Sequence, residues 1–495
     1  MARDRPWSSL AGSSTAPMLD SPDFASGDLV PADLDELLKL HGLPWGERLR
    51  ASAGQRPADR DGDGDDEQAL QTWQRLIGRT GRGAFAKRLE WDGLGPDGAR
   101  HLVECHSRTG DDPVWLGELH TMMAAVAQSA LSGEESDASA WWDAIDREIE
   151  DALRDNDKPI PYVHAVWPIV EHELRRVQVE VGDHCNVEQW AWNDMGCALA
   201  QQLSNVLRSS LNEQRAGTAY RTYCHHFVAS GLVPFLREFP VAGRAIATIC
   251  EYWRHNASLL VRRIEGDRSV LAREFGVEPT SPLSRVEWGL SDPHRGGTSV
   301  AILTFGTDAP RVVYKPKDLR LEQEYETFRR TVMTAFDRDG INPRGTDAVM
   351  DGRGNEITHV YAVGAQYGYS LLVEHAPCDP ERLPEFYRNA GRLMAMLHLL
   401  GTSDCHFENL IAHREHLVLI DAETLFEVRL RTDVEQVRDH LPEGMDDWIL
   451  NLGMLPAPQA FAAGQAAVDI SALGVESATG AADTEVRTWL AVNSD

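Results

Sequence analysis

The 495-residue sequence has no Cys-x-x-Cys pair, and its seven cysteines (Cys105, Cys185, Cys197, Cys224, Cys250, Cys378 and Cys405) are scattered and odd in number. This argues against a disulfide framework or a cysteine-rich zinc cluster and leaves free, buried thiols in a reducing compartment as the expectation. The N-terminus, MARDRPWSSLAGSSTAP, lacks the apolar core of a secretory signal, and no run reaches the ~18 apolar residues of a membrane-spanning helix. A cytoplasmic protein without membrane insertion is therefore expected. Positive charge is also scarce: 48 Lys and Arg stand against 77 Asp and Glu, a formal net charge of -29. Such a surface is repelled by phosphate backbones, so nucleic acid is not an expected partner.

What is present is ordinary globular material. Apolar residues make up 42% and charged residues 25%, and the length calls for two or three structural units. Residues 1–67 read as a flexible acidic segment. Its stretch DRDGDGDDE resembles a calcium loop, but Leu70 stands where a loop starting at Asp59 needs its twelfth-position Glu. Residues 68–283 carry helical periodicity. Ala69, Leu70, Trp73 and Leu76, and again Leu199, Leu203, Val206 and Leu207, recur at spacings that place each set on one apolar face.

The texture changes near residue 284. Strands are expected at 285–288, 300–305 and 311–315, with turn residues Gly306, Thr307 and Asp308 closing a hairpin. A helix follows at 321–336, then strands at 357–363 and 369–374. Residues 380–400 read as a helix stopped by Gly401. The polar loop TSDCHFEN then leads into two apolar runs, LIAH and LVLID, parted by a turn at Arg414 and Glu415. The domain boundaries read from this texture are 284–378 and 379–495, the latter ending in a loop-rich tail.

Chemistry enters with order and spacing. Phosphoryl transfer from ATP needs a lysine for the phosphates, a backbone-lined loop over them, oxygen ligands for magnesium, and an acid to orient the attacking hydroxyl. Asp404 and Asn409 stand five apart, and Asp421 follows the apolar run LVLI. Lys315 ends the run VVYK, and a glycine-rich segment holding Gly296 and Gly297 precedes it. Glycine loop, lysine, catalytic loop and metal aspartate come in the kinase order. On spacing alone this supports an ATP- and magnesium-dependent phosphotransferase. His406 has two readings: a structural histidine bracing the loop, or a group beside the transferred phosphate.

At these motifs the sequence resembles the dehydratase domain of class II, LanM-type, lanthipeptide synthetases. LSDPHRGGTSV is similar to that family's Asp-x-His glycine loop, VVYKPKDLRLEQEY to its Tyr-Lys-Pro segment, and GTSDCHFENLIAHREHLVLIDAETLFE to its catalytic and metal-binding segment. FAKRLEWDGL and residues 220–276 also resemble it. The resemblance implies an α+β fold: a helical N-terminal platform followed by a lipid-kinase-like bilobal core. It implies an enzyme that phosphorylates Ser and Thr of a ribosomally made precursor peptide with a leader, using ATP and Mg2+, and then eliminates phosphate to leave dehydroalanine or dehydrobutyrine.

Carried over by motif, Asp404 orients the substrate hydroxyl and His406 supports it. Asn409 and Asp421 hold magnesium with Glu423 assisting, Lys315 binds ATP phosphates, and Asp292 and His294 act near the phosphate. The family's late Arg and Thr, which serve elimination, correspond to Arg487 and Ser494. No cysteine follows residue 405, so the family's zinc-binding cyclase domain is not expected here, and ring closure falls to a separate cyclase. Two rival readings remain: a kinase without elimination, and an inactive remnant that still holds peptide.

Overall fold

The computed structural model describes residues 30–44, 47, 70–71, 74–75, 83–91, 93–95, 98–99, 113–131, 138–154, 159–182, 185–291, 293–306, 311–338, 358–426, 449, 452–456 and 471–473. The acidic stretch at 59–67 and the expected site residues Asp292, Arg487 and Ser494 lie outside them, as do Ala69, Trp73 and Leu76.

The first half is helical, in the order α1 (Ala32–His41), α2 (Ala84–Trp91), α3 (Val114–Leu131), α4 (Ala138–Ala152), α5 (Val163–Val181), α6 (Gln189–Arg215), α7 (Tyr220–Ala229), α8 (Val233–Glu238), α9 (Pro240–Gly266) and α10 (Arg268–Phe275). The long α9 shows why. Pro240 starts it, where a missing N–H costs nothing. Ile246, Cys250, Trp253, Ala257, Leu260, Val261 and Ile264 then recur every three or four residues, and all are buried. Each fully buried side chain of this size contributes about 1.5–3 kcal/mol of burial energy.

On α6 the expected stripe is only partly right. Leu199, Leu203 and Leu207 are buried, but Val206 is 52% exposed. Residues four apart step about 40° around a helix, so the buried stripe 199–203–207–211 drifts away from Val206 and leaves it at the edge.

The second half mixes strands and helices: β1 (Leu283–Trp288), β2 (Ala301–Phe305), β3 (Val312–Lys315), α11 (Arg320–Arg338), β4 (Val360–Val363), β5 (Tyr367–Leu371), α12 (Leu383–Leu399), β6 (Leu410–His413) and β7 (His416–Leu419). The fold is therefore α+β. Strands β1 to β5 form one antiparallel sheet in the order β1-β2-β3-β5-β4, while β6 and β7 pair apart from it. The α12 helix begins later than residue 380, after a 3-10 turn at Pro380–Arg382. Pro384 lacks an N–H and fits only the first turn of an α-helix, which sets the start at Leu383.

Apolar packing separates into two large clusters. One runs from the helices into the sheet and includes Leu203, Leu260, Phe305 and Tyr369. The other joins Leu393 and Leu397 of α12 to Leu410, Leu419, Leu425 and Met454, and reaches up to Tyr325 of α11. Polar ties anchor the sheet to the helices. The Asp194 carboxylate on α6 accepts from Arg285 Nε at 2.8 Å and from the Val286 N–H at 2.9 Å, pinning β1. At the far end of α9, Asp267 accepts from the Tyr367 and Tyr369 hydroxyls at 2.8 and 2.9 Å. Burial, and then the Asp267 carboxylate, push both phenols above their usual pKa.

Replacing Asp267 by Ala strands two hydroxyls beside the core. It should cost about 3 kcal/mol, given that hydrogen bonds to a charged group contribute about 1.5–3 kcal/mol each. A thermal melt lowered by several degrees is the expected result, and an unchanged midpoint would show that this tie is dispensable.

Candidate active site

Arg414 and Glu415 form a two-residue turn, with Arg414 at φ 51°, the left-handed geometry of a tight hairpin. This fixes the register from His413↔His416 to Leu410↔Leu419. The ladder continues one step as the Ile420 N–H donates to the Asn409 carbonyl at 2.9 Å. Asn409 and Asp421 thus emerge side by side at the open end of the β6–β7 hairpin.

The preceding loop is braced at several points. The Cys405 N–H donates to the Leu452 carbonyl at 2.7 Å, and the Thr424 hydroxyl donates to the Ser403 carbonyl. Asp404 sits at φ 63°, a conformation that costs on the order of 1 kcal/mol for a residue with a side chain. The Asn409 amide holds it there by donating to the Asp404 carbonyl at 2.8 Å. The Glu408 N–H points at His406 Nδ1 at 3.2 Å, and His406 Nε2 lies 3.2 Å from Asp404 Oδ1. A neutral ring with its proton on Nε2 satisfies both contacts. His406 therefore braces the loop and orients Asp404 at once. Cys405 is buried behind them, and burial, then the Asp404 charge, push its thiol up to about 12, so it stays protonated.

Lys315 closes β3, a strand buried along its whole length. Its ammonium pairs with Glu322 Oε2 at 2.8 Å and also donates to the Ile420 carbonyl. Glu322 stands in the first turn of α11, where a carboxylate suits the helix dipole. Lys317, across Pro316, reaches Asp421 Oδ1 at 2.5 Å, Glu423 Oε2 at 3.3 Å and Glu322 Oε1 at 3.4 Å. Burial opposes its charge, but the three carboxylates outweigh burial and raise its pKa.

Among the described residues no group of three His, Cys, Asp or Glu side chains is gathered for a metal. Asn409, Asp421 and Glu423 supply one amide and two carboxylates. That donor set is hard and oxygen-only, which fits magnesium completed by phosphate oxygens and water.

A short turn at Arg295–Gly297 is closed by the Gly297 N–H donating to the His294 carbonyl at 2.9 Å. Gly296 and Gly297, at φ 71° and 70°, were expected to cradle phosphate, yet neither lines the central cavity. They dock on α9 instead. Asn256 Nδ2 donates to the Gly296 carbonyl at 2.8 Å, and a Cβ at position 297 would sit 3.0 Å from Tyr252 Cβ. The glycines thus permit the left-handed backbone and the close approach that anchor the loop, while Gly289, Leu290, Ser291 and His294 face the cavity.

That cavity, about 850 Å³, lies between the sheet and the β6–β7 hairpin and gathers His294, Lys315, Asp404, His406, Asn409, Asp421 and Glu423. Val300, Ile302, Val313, Ile411 and Leu419 add an apolar slot. Apolar walls with a few convergent polar groups are the usual make-up of a small-molecule site.

Residues 239–495 match the family described as a domain of unknown function, DUF4135. The chain belongs to that family. The family occurs in LanM-type lanthipeptide synthetases, and the motif resemblance holds. The matched segment starts at the head of α9 and contains every expected site residue. The chain is also similar to the lacticin 481/lactococcin biosynthesis protein LcnDR2 of Lactococcus lactis subsp. lactis, at 24% identity over 261 residues. That alignment covers 51% of this chain and 26% of the relative, so the chain spans about a quarter of the length of the curated relative it matches.

Glu322 and Lys317 were not singled out from the sequence. Glu322 was legible in principle: a carboxylate one turn into the helix after a strand-ending lysine is the partner such a lysine needs. Lys317 had no comparable signal, because its three acceptors include Asp421 and Glu423, more than a hundred residues away.

Replacing Lys315 by Met leaves Glu322, only 6% exposed, without its nearer cation. Breaking a buried pair costs about 3–5 kcal/mol, and the low end applies because Lys317 remains. The double variant Lys315→Met/Glu322→Met should recover most of that loss in a thermal melt. Strictly additive losses would mean that the two side chains are not coupled.

Proposed function

We propose that this chain is an ATP- and magnesium-dependent dehydratase of lanthipeptide biosynthesis, built as a lipid-kinase-like bilobal core on a helical platform. The sheet with α11 serves as the upper lobe, and α12 with the β6–β7 hairpin as the lower. One observation carries the reading: Lys315, paired with Glu322, faces Asp404, Asn409 and Asp421 across a single cavity. The similarity to a lacticin biosynthesis protein supports a precursor peptide as the substrate.

The nucleotide base fits the apolar slot beneath Val300, Ile302 and Val313. The Lys315 ammonium, held by Glu322, meets the phosphates. Asn409 donates through Nδ2 to Asp404, which leaves Oδ1, the acceptor of its amide, for the metal beside Asp421 and Glu423. A magnesium ion held by these groups would neutralise phosphate charge. Asp404 accepts the hydrogen bond of the substrate Ser or Thr hydroxyl and turns its lone pair toward the phosphorus, with the His406 Nε2 proton steadying the carboxylate. In the second step a base removes the α-proton, the carbon–oxygen bond breaks, phosphate leaves, and a carbon–carbon double bond remains. His294 lines the cavity at its exposed rim, which supports a role in donating to the departing phosphate.

Incubation of the chain with a precursor peptide, ATP and magnesium, read by mass spectrometry, should show loss of water from Ser and Thr. Asp404→Asn should lower phosphate transfer by about 10²–10⁴-fold, the usual range for a positioned acid–base group. His294→Ala should let phosphorylated peptide accumulate. Phosphate gain without water loss in the native chain would favour the kinase-only reading, and no change of mass would favour a peptide-binding remnant. If His294→Ala abolished phosphorylation itself, its role in elimination would be wrong.

A further inference from the structure

Lys317 is not needed to explain phosphate binding, which Lys315 supplies, yet it is the more heavily engaged of the two lysines. Lys317 lies two residues beyond Lys315, in the bend that follows β3, and both ammonium groups come to the Glu322 carboxylate. Lys315 turns to Glu322 and the Ile420 carbonyl. Lys317 turns to Asp421 Oδ1 at 2.5 Å and Glu423 Oε2 at 3.3 Å, the two carboxylates assigned above to the metal. Its third contact, Glu322 Oε1 at 3.4 Å, is with an oxygen that has no hydrogen-bond partner among the described residues.

Magnesium binds oxygen at about 2.0–2.1 Å and demands near-octahedral surroundings. An ammonium at 2.5 Å from Asp421 Oδ1 takes up one of the carboxylate's lone-pair sites, offsets its charge and repels a second cation brought to it. Resting on the reading that Asp421 and Glu423 are metal ligands, we propose that Lys317 is a built-in counter-ion that competes with the divalent cation for them, so that the metal is taken up together with nucleotide rather than alone. The phosphates of an arriving nucleotide are the groups that draw Lys317 off: they bring negative charge into the cavity and give the ammonium a new partner at the moment the carboxylates are needed. Lys317 is thus a positioning residue that sets the order of binding, and Glu322 keeps it nearby when it lets go.

The test is Mn2+ binding to the full chain, followed by the electron paramagnetic resonance of free Mn2+, first without nucleotide. Lys317→Met should tighten Mn2+ binding about tenfold, the factor that ~1.4 kcal/mol represents. Lys317→Arg, which keeps the charge, should bind as weakly as the native chain. Adding a non-hydrolysable ATP analogue should tighten Mn2+ binding to the native chain and shrink the difference from Lys317→Met. Adding Asp421→Asn to Lys317→Met should reverse the gain. If Lys317→Met fails to fold, Lys317→Gln makes the same comparison. Equal or weaker Mn2+ binding by the charge-removed variant, with Asp421→Asn still lowering affinity, overturns the counter-ion role and leaves the metal site standing. Mn2+ binding indifferent to Asp421→Asn overturns both.

Discussion

The Lys315 ammonium is where three separately built parts of the chain meet. It ends β3 of the sheet, pairs with Glu322 at the head of α11, and donates to the Ile420 carbonyl at the mouth of the β6–β7 hairpin. The two large apolar clusters lie on either side of this junction, so the ion pair sits where nonpolar packing gives way to a polar cleft. A buried pair of this kind adds little net stability, because desolvation offsets attraction, but it is costly to break. Its effect is geometric: it sets how far the sheet stands from the hairpin, and so the width of the cavity in which Asp404 and Asn409 face the lysine.

The rest of the site follows from backbone constraints that do not depend on any ligand. A two-residue turn at Arg414–Glu415 fixes a register, and the register sets Asn409 beside Asp421. Asn409 in turn holds Asp404 in a left-handed conformation. Behind the glycine loop, Asn256 and Tyr252 of α9 fix the position of Gly296 and Gly297. The helical half thereby reaches the chemistry indirectly, through α9, which belongs to both its core and the loop anchor. In a chain of net charge -29, the crowding of Glu322, Asp421 and Glu423 around two lysines is a local balance, and any change in one partner alters the others.

Much of this was legible in the sequence where the determinants are local. Short apolar runs and turn residues marked β1 to β3, and the hairpin after residue 409 announced itself by two apolar runs around Arg414 and Glu415. The spacing of Asp404, His406, Asn409 and Asp421 survives folding because one loop and one hairpin carry all four. What was not legible depends on distant partners. The glycines read as a phosphate cradle, and only the packing of α9, some forty residues upstream, shows them as an anchor. Val206 read as core because a helical wheel cannot show where a drifting stripe loses its neighbours. Lys317 carried no signal of its own, because Asp421 and Glu423, which surround it in the fold, lie more than a hundred residues away.

On the proposed reading, nucleotide and metal bind between the sheet and the hairpin, contacting both. Hydrogen–deuterium exchange of the full chain, with and without ATP and magnesium together, tests this directly. Slowed exchange is expected in two separate stretches at once: residues 289–298 with the end of β3 on one side, and residues 404–409 with 420–423 on the other. Protection confined to one side, or absent from both under saturating nucleotide, would contradict it.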